Sequence, residues 1–534
     1  MGAFYGQKTH KIIVAINRRN RNFFRFVNIE GQIYWHDETY TSLRIAGYRE
    51  AEVITAVFNG QVITPAHLQK YQHFTPDKTW RDVLQSLAVE DPHHPPLYYL
   101  MARFWCECFG DSVAVIRRLS ASISLLAFPL IYLLCRSLFA SPLVAEVALA
   151  IIAVSPFHIL YAREARPYSL WTVTILLSSW LLLRNLSLVP CHLEEKPGFL
   201  RKISVKLRDI SSRNPVSGGL SLWLYAASLA VSFYTFLLSG LVALAHGIYL
   251  VAVNLWRMKV SRHCPGLPAD WIRGTAGYLV ALVAALVMFS PWMLAVSLNW
   301  SRVETTTAWT GEKMPLFSLL KIWAANISRL FFDINFDSES HTELYAIVPI
   351  LLSLVLVGWS MYFLIRHTPP RVWLFVVILM AVGSLSLIIP DLIWGGRRSS
   401  ISRYLIPCYL AIEIAVAYFS AAQIETLHQR RQNPIISIFA LILIAGIASG
   451  AVISRSETWW IKKNSHHNPV VAEVINQMPN SLLISSNYRY NFGEILSLSH
   501  LLAPQVRLLL LQEPNFPPFL PDFSNVLVFN PSPN

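Results

Sequence analysis

Two short polar motifs hold the residues of this sequence that are best suited to chemistry. The first, Trp-His-Asp-Glu, places Asp37 beside Glu38, and the second, Asp-Pro-His-His-Pro-Pro, contains His94 and is followed by Tyr98. A carboxylate can take a proton from an acceptor hydroxyl, so Asp37 and Glu38 are predicted to be catalytic. The alternative is a solvated acidic pair at a helix start. We expect His94 and Tyr98 to contact a substrate, although His94 could instead lie in an interfacial turn.

Two later segments combine arginine with tyrosine. Their candidate substrate-binding residues are Arg163, Arg166, Tyr168, Arg397, Arg398, Arg403 and Tyr404. The planar fork of arginine binds phosphate through two parallel hydrogen bonds. The competing interpretation is that these arginines extend toward lipid headgroups.

The composition places all of these motifs in a membrane protein. Of 534 residues, 54% are hydrophobic and only 14% are charged, whereas a soluble domain has about a quarter of its residues charged. The net charge of +13 comes mainly from short segments between apolar runs, so nucleic acid is not an expected partner. The six cysteines predict no disulfide framework.

Ten membrane spans are predicted, because each needs about 20 mostly apolar residues, or 17 if it runs steeply. They cover residues 119–139, 142–160, 168–184, 219–235, 238–255, 275–297, 344–365, 371–390, 403–420 and 434–453. The basic connections, such as 185–218 and 256–274, all fall on one side, which the positive-inside rule assigns to the cytoplasm. The outer face then holds residues 29–117, 161–167, 298–343, 391–402 and everything after 454.

This topology puts every candidate residue on the outer face of a cell membrane. Positive charge there runs against the usual bias, and we therefore favour phosphate binding for the arginines. The segment 29–117 is predicted to be a catalytic loop with interfacial helices, and residues 316–332 to form a further helix in the interface.

The two ends of the chain differ from the bundle. Residues 1–28 contain four arginines, each costing about 2.5 kcal/mol or more in a span, so an atypical or truncated first span is expected. Residues 454–534 are predicted to form a small soluble α/β domain. Its predicted strands and helices are Ser481–Ser485, Val506–Leu511, Asn525–Phe529, Pro469–Met478 and Phe492–Leu502.

Taken in order, the motifs resemble a known family. They are Trp35-His-Asp-Glu-Thr, His94-Pro-Pro-Leu-Tyr-Tyr, Phe109-Gly-Asp followed by Arg117-Arg-Leu-Ser, and the loop from Tyr161 to Tyr168. The chain is similar to the GT-C integral-membrane glycosyltransferases, in the branch of protein O-mannosyltransferases and aminoarabinose transferases. It looks most like the bacterial, especially cyanobacterial, family 39-like members. The resemblance covers roughly residues 29 to 455.

The resemblance implies a helical polytopic fold of about ten to eleven transmembrane helices and a polyprenyl-phosphate sugar donor. It matches the family's first-loop aspartate to Asp37, as general base or orienting group, with Glu38 as its companion. It places His94 near the acceptor or the phosphate and the later arginines around the lipid phosphate. The acceptor would be a lipid, a glycan or a protein. No cofactor is required by the motifs, and a divalent metal stays open.

Two other functions remain alternatives. One is a transporter or flippase for a lipid-linked sugar, although transporters tend to bind substrate at the bilayer midplane between repeated halves. The other is an inactive relative, suggested by the unusual start of the chain. The polar residues gather in the outer loops and no halves of the chain repeat, which argues against the transporter.

Overall fold

The computed structural model describes residues 23–186, 217–260, 268–336, 344–429, 438–512 and 523–531. Most of the atypical first span, most of the basic connection 185–218 and the Arg430–Arg431 connection lie outside these residues. The part of the chain before the bundle, named the first outer segment for its predicted location, is mainly helical. Its elements are α1 (Phe23–Phe26), α2 (His36–Ala46), α3 (Glu50–Val57), β1 (Asn59–Ile63), α4 (Pro65–Gln69), α5 (Trp80–Glu90) and α6 (Leu97–Phe109).

A bundle of long apolar helices follows, joined by shorter ones. It contains α7 (Val113–Ser124), α8 (Ala127–Phe139), α9 (Pro142–Val154), α10 (Pro156–Ala162), α11 (Tyr168–Leu186), α12 (Ser217–Thr235), α13 (Ser239–Val260), α14 (Pro268–Leu298), α15 (Trp300–Thr307), α16 (Leu316–Ser328), α17 (Leu344–His367), α18 (Pro370–Ile393), α19 (Ile406–Gln429) and α20 (Ile438–Ile453).

Within the described ranges, seven helices are long and apolar enough to cross a membrane, or eight if the bent pair α9 and α10 is one span. The chain is therefore a multi-pass helical membrane protein, as predicted. Each of the ten predicted spans coincides with helical structure. Two of them, 219–235 and 434–453, correspond to apolar helices shorter than 18 residues, Gly219–Thr235 and Ile438–Ile453, and residues 434–437 lie outside the described ranges.

The break between α9 and α10 explains how one of the early arginines is accommodated. The two helices meet at an angle of 57° because Pro156 lacks the N–H that would continue the first helix. The last carbonyls of a helix have no partner within it. Arg25, which is 1% exposed, donates to two of them, the carbonyls of Ile152 at 3.0 Å and Ala153 at 2.9 Å.

The segment after the bundle has the predicted α/β content. It consists of α21 (Asn468–Asn476), β2 (Ser481–Ser486), α22 (Asn491–Ser499), β3 (Arg507–Leu511) and β4 (Asn525–Val528). The strand order is β1-β3-β2-β4, with β1 antiparallel and the others parallel. One edge strand, β1, thus comes from the first outer segment, which ties the two ends of the chain into one sheet.

Candidate active site

Asp37 lies in the first turn of α2. Trp35 precedes the helix in an extended conformation, and Gly47 ends it at φ +91°, a left-handed conformation that glycine adopts without a steric penalty. Acidic residues in a first turn are stabilised by the partial positive charge of the helix N-terminus. The helix therefore forms readily and presents Asp37, whose side chain is 19% exposed.

Two arginines from distant parts of the chain approach the carboxylate of Asp37. The Nη2 atoms of Arg403 and Arg166 lie 3.5 and 4.0 Å from its Oδ2 atom. Both guanidinium groups also lie within 6 Å of the ring of Tyr168, at 5.7 and 5.8 Å, and Arg403 lies 5.8 Å from the ring of Tyr404. The predicted group of Asp37, Arg166, Tyr168, Arg403 and Tyr404 is therefore brought together.

The electrostatics keep Asp37 ionised. Burial acts to raise the pKa of its carboxyl, but Arg166 and Arg403 outweigh this effect, and the pKa lies below its ordinary value. The guanidinium groups of Arg403 and Arg166, at 3.5 and 4.0 Å, neutralise the charge of the carboxylate. They leave lone pairs on its oxygens that can accept from another donor. Such a group can accept a proton from a hydroxyl placed beside it.

His94 joins this group through Arg166. Its Nε2 lies 3.0 Å from Nη2 of Arg166, and its Nδ1 lies 2.8 Å from Oδ1 of Asp91. Arginine can only donate, so Nε2 accepts and the proton is on Nδ1. A chain of hydrogen bonds from Asp91 through His94 thus holds the guanidinium of Arg166 in position.

The same corner has the ligand set of a metal site. Single ligand atoms of Asp91, His93 and His94 lie within 4.8 Å of one another, and carboxylate with imidazole suits zinc. A cation on Nδ1 of His94 would replace the proton held there and move it to Nε2, which would oppose the donated bond from Arg166. The residues fit a divalent ion only if that bond is given up.

Glu38 faces away from Asp37 and is fully buried. Arg117 binds both of its oxygens, at 2.8 and 2.6 Å, Lys462 lies 3.1 Å away, and the backbone N–H of Ala165 donates to it at 2.9 Å. Burial would raise its pKa, but Arg117 and Lys462 hold that pKa at about 2. With its oxygens occupied in this way, Glu38 is suited to holding the loop 163–167 and α2 in place and is poorly suited to proton transfer.

Four other predicted site residues bond to groups other than Asp37 and its two arginines. They are Arg163, Tyr98, Arg397 and Arg398. Arg163 donates to the backbone carbonyls of Phe24, Val27 and Asn28, and Tyr98 is buried and bonded to Ser120 at 2.7 Å.

Arg397 and Arg398 likewise have other partners. Arg397 lies 4.0 Å from Glu312, and Arg398 donates to Asp391 at 3.0 Å. Of the predicted arginines, Arg166 and Arg403 thus lie at Asp37, whereas Arg163, Arg397 and Arg398 bond to other groups.

Part of the chain that contributes to this site matches a known protein family. Residues 93–188, which include His94, Arg166 and Tyr168, match the model of the dolichyl-phosphate-mannose-protein mannosyltransferase family. That segment matches a glycosyltransferase family. For residues 93–188 this match confirms the resemblance to membrane glycosyltransferases that the sequence motifs indicated. No curated protein has a sequence that matches the chain.

Solved structures with a similar arrangement are distant in sequence. ArnT from Cupriavidus metallidurans bound to undecaprenyl phosphate is 11% identical, with a TM-score of 0.48, over 93% of this chain and 85% of ArnT. The oligosaccharyltransferase AglB from Archaeoglobus fulgidus, in complex with an inhibitory peptide and a dolichol-phosphate, is 13% identical, with a TM-score of 0.46. That alignment covers 94% of this chain and 65% of AglB.

Proposed function

We propose that this protein transfers a hexosyl or pentosyl group from a polyprenyl-phosphate carrier to an acceptor on the outer face of the membrane. The observation that carries the proposal is the position of Arg166 and Arg403 beside the ionised carboxylate of Asp37. A base next to two phosphate-binding groups is what a transfer from a sugar phosphate requires.

In the proposed reaction the acceptor oxygen attacks the anomeric carbon, and the bond from that carbon to the phosphate oxygen breaks. The acceptor proton moves to Asp37, and the electron pair of the broken bond leaves with the phosphate. Arg166 and Arg403 neutralise the growing negative charge on the leaving phosphate monoester. A single in-line displacement of this kind inverts the anomeric configuration.

An apolar groove beside the His94 motif supports a membrane-borne donor. The groove has a volume of about 640 Å³ and is lined by outer-segment residues such as Ala88, Leu97 and Leu100 and by bundle residues such as Tyr234 and Trp292. The indole N–H of Trp292 donates to the carbonyl of Pro92 at 3.1 Å, so the groove lies directly beside the motif that contains His94. Its apolar lining fits a polyprenyl chain whose phosphate reaches Arg166.

The first test is the choice of donor. We expect purified protein in detergent to transfer sugar from polyprenyl-phosphate hexoses or pentoses and to ignore nucleotide sugars, because arginines beside an apolar groove suit a lipid phosphate. The assay measures radiolabelled sugar moved to a membrane extract as acceptor. Efficient use of the nucleotide sugar alone would overturn the proposal.

The groove gives a second test. Ala88→Phe fills part of the groove and should raise KM for a long-chain donor by about tenfold, the effect of losing roughly 1.4 kcal/mol of apolar burial. For a donor with only two isoprene units the KM should change little, because so short a chain occupies little of the groove. The control is Val89→Phe, at a neighbouring exposed position. An equal rise in KM for both chain lengths, or none for either, would show that the groove does not hold the chain.

A further inference from the structure

The turn that carries Asp37 is held from both sides by residues that follow the last helix of the bundle. Nζ of Lys462 lies 3.1 Å from Oε2 of Glu38 and donates to the carbonyl of Ile33 at 2.9 Å. Lys462 is fully buried. Glu38, which follows Asp37, and Ile33, in the irregular segment before α2, are thus both bonded to Lys462, a cation from outside the first outer segment.

The residue before Asp37 is held by the same distant segment. The backbone N–H of His36 donates to the Oγ atom of Ser465 at 3.0 Å, and Trp35 supplies no side-chain cap. The first N–H groups of a helix have no partner within it. Ser465 therefore caps α2 from more than 400 residues away in sequence.

Glu494 completes this support. Its Oε1 atom lies 3.2 Å from Nδ1 of His36 and accepts from the hydroxyl of Ser465 at 3.2 Å. The adjacent Gly493 packs so closely that a Cβ atom there would overlap the ring of His36. Both neighbours of Asp37 are therefore in van der Waals or hydrogen-bond contact with the segment 462–494.

The carboxyl groups of Glu38 and Glu164 both lie near Lys462, and their charges decide which of them is its partner. Glu38 is bound by Arg117 and Lys462, and Glu164 approaches Lys462 as well. Among the described residues neither oxygen of Glu164 has a hydrogen-bond partner, and burial raises the pKa of its carboxyl to about 8. Glu38, whose pKa lies below its ordinary value, is therefore the carboxylate that pairs with Lys462.

We infer that Lys462, Ser465, Gly493 and Glu494 are positioning residues for Asp37, so that the C-terminal segment is part of the catalytic centre. This inference rests on the proposed function. These residues touch neither Arg166 nor Arg403 in any hydrogen bond or ion pair that the described structure shows, and they set the position of the base without holding the donor. An error of about 1 Å in such a group can lower a rate by about 100-fold.

The test compares kcat with KM in full-length variants. Lys462→Met, Gly493→Ala and Glu494→Gln should each lower kcat by about 10- to 100-fold and leave KM for the polyprenyl-phosphate donor within about twofold. Two matched controls, Lys463→Met and Glu473→Gln, change exposed residues of the same segment and should behave as wild type. Thermal unfolding in detergent identifies any variant that fails to fold, and the remaining variants then carry the comparison.

The outcomes separate this inference from the proposed function. A wild-type protein that transfers no sugar from any polyprenyl-phosphate donor overturns the proposed function and this inference with it. An active wild type whose folded variants match the two controls overturns the inference alone. A rise in KM at constant kcat would also overturn it, because these residues would then bind substrate.

Discussion

Replacing Asp37 with asparagine is expected to lower the rate of sugar transfer by about 10²- to 10⁴-fold, the usual contribution of a general base. Asparagine keeps the shape of the side chain but cannot take the proton. KM for the donor should stay constant or fall, because Arg166 and Arg403 lose an anion that competes with the phosphate. Steady-state kinetics with purified protein measure both quantities.

The matched control is Asp77→Asn, an exposed aspartate of the same outer segment, which should leave the rate unchanged. Because the pKa of Asp37 is lowered, the midpoint at which its protonation lowers the wild-type rate should lie below the ordinary aspartate value of 3.8. The contribution of the carboxylate is present above that midpoint and is lost as the pH falls through it. A loss of less than tenfold in the asparagine variant would assign proton transfer to another group.

Local pattern was enough to predict the elements of the C-terminal segment. The strands predicted at Ser481–Ser485 and Val506–Leu511 appear as Ser481–Ser486 and Arg507–Leu511, because apolar, β-prone runs bounded by turns depend on nearby residues only. The strand β1 was not predicted. Its sequence, Asn-Gly-Gln-Val-Ile, is short and mostly exposed, and it is stabilised by pairing with β3 rather than by its own composition.

The arginines show where residue type stops being informative. Arg397, Arg398 and Arg403 look alike in the sequence, but Gly395 takes a φ of +80° and accepts a hydrogen bond from Arg398 at 3.2 Å. This turn directs Arg398 to Asp391, whereas Arg403 lies in the turn Ser402–Leu405 that leads into α19. Only the backbone conformation separates the two.

Arg163 and Arg166 differ for a similar reason. A helical spacing of three would put both on one face, but the residues between α10 and α11 are not helical. Arg163 therefore turns to carbonyls near α1 and Arg166 to Asp37. Lys462 carried no signal at all, because a lysine beside another lysine after an apolar helix usually marks a solvated helix end.

The remaining test concerns the two arginines of the site. Arg166→Lys and Arg403→Lys should each lower kcat by about 10- to 100-fold, since a charge-assisted hydrogen bond contributes about 1.5–3 kcal/mol. Lysine keeps the positive charge but cannot bind phosphate through two parallel bonds. For Arg166 the loss should be larger, because its guanidinium also bonds the carbonyl of Asp37 and Nε2 of His94. One ammonium group cannot reproduce that arrangement.

Arg397→Lys is the matched control, since it changes an arginine from the segment before Arg403 whose ion-pair partner is Glu312. It should leave kcat and the donor KM within about twofold of wild type. If the two arginines hold the leaving phosphate, the double variant should lose less than the product of the single losses, because both act on one group. Equal losses in all three single variants would instead indicate that these arginine side chains contribute without regard to their position, which would contradict a phosphate site at Asp37.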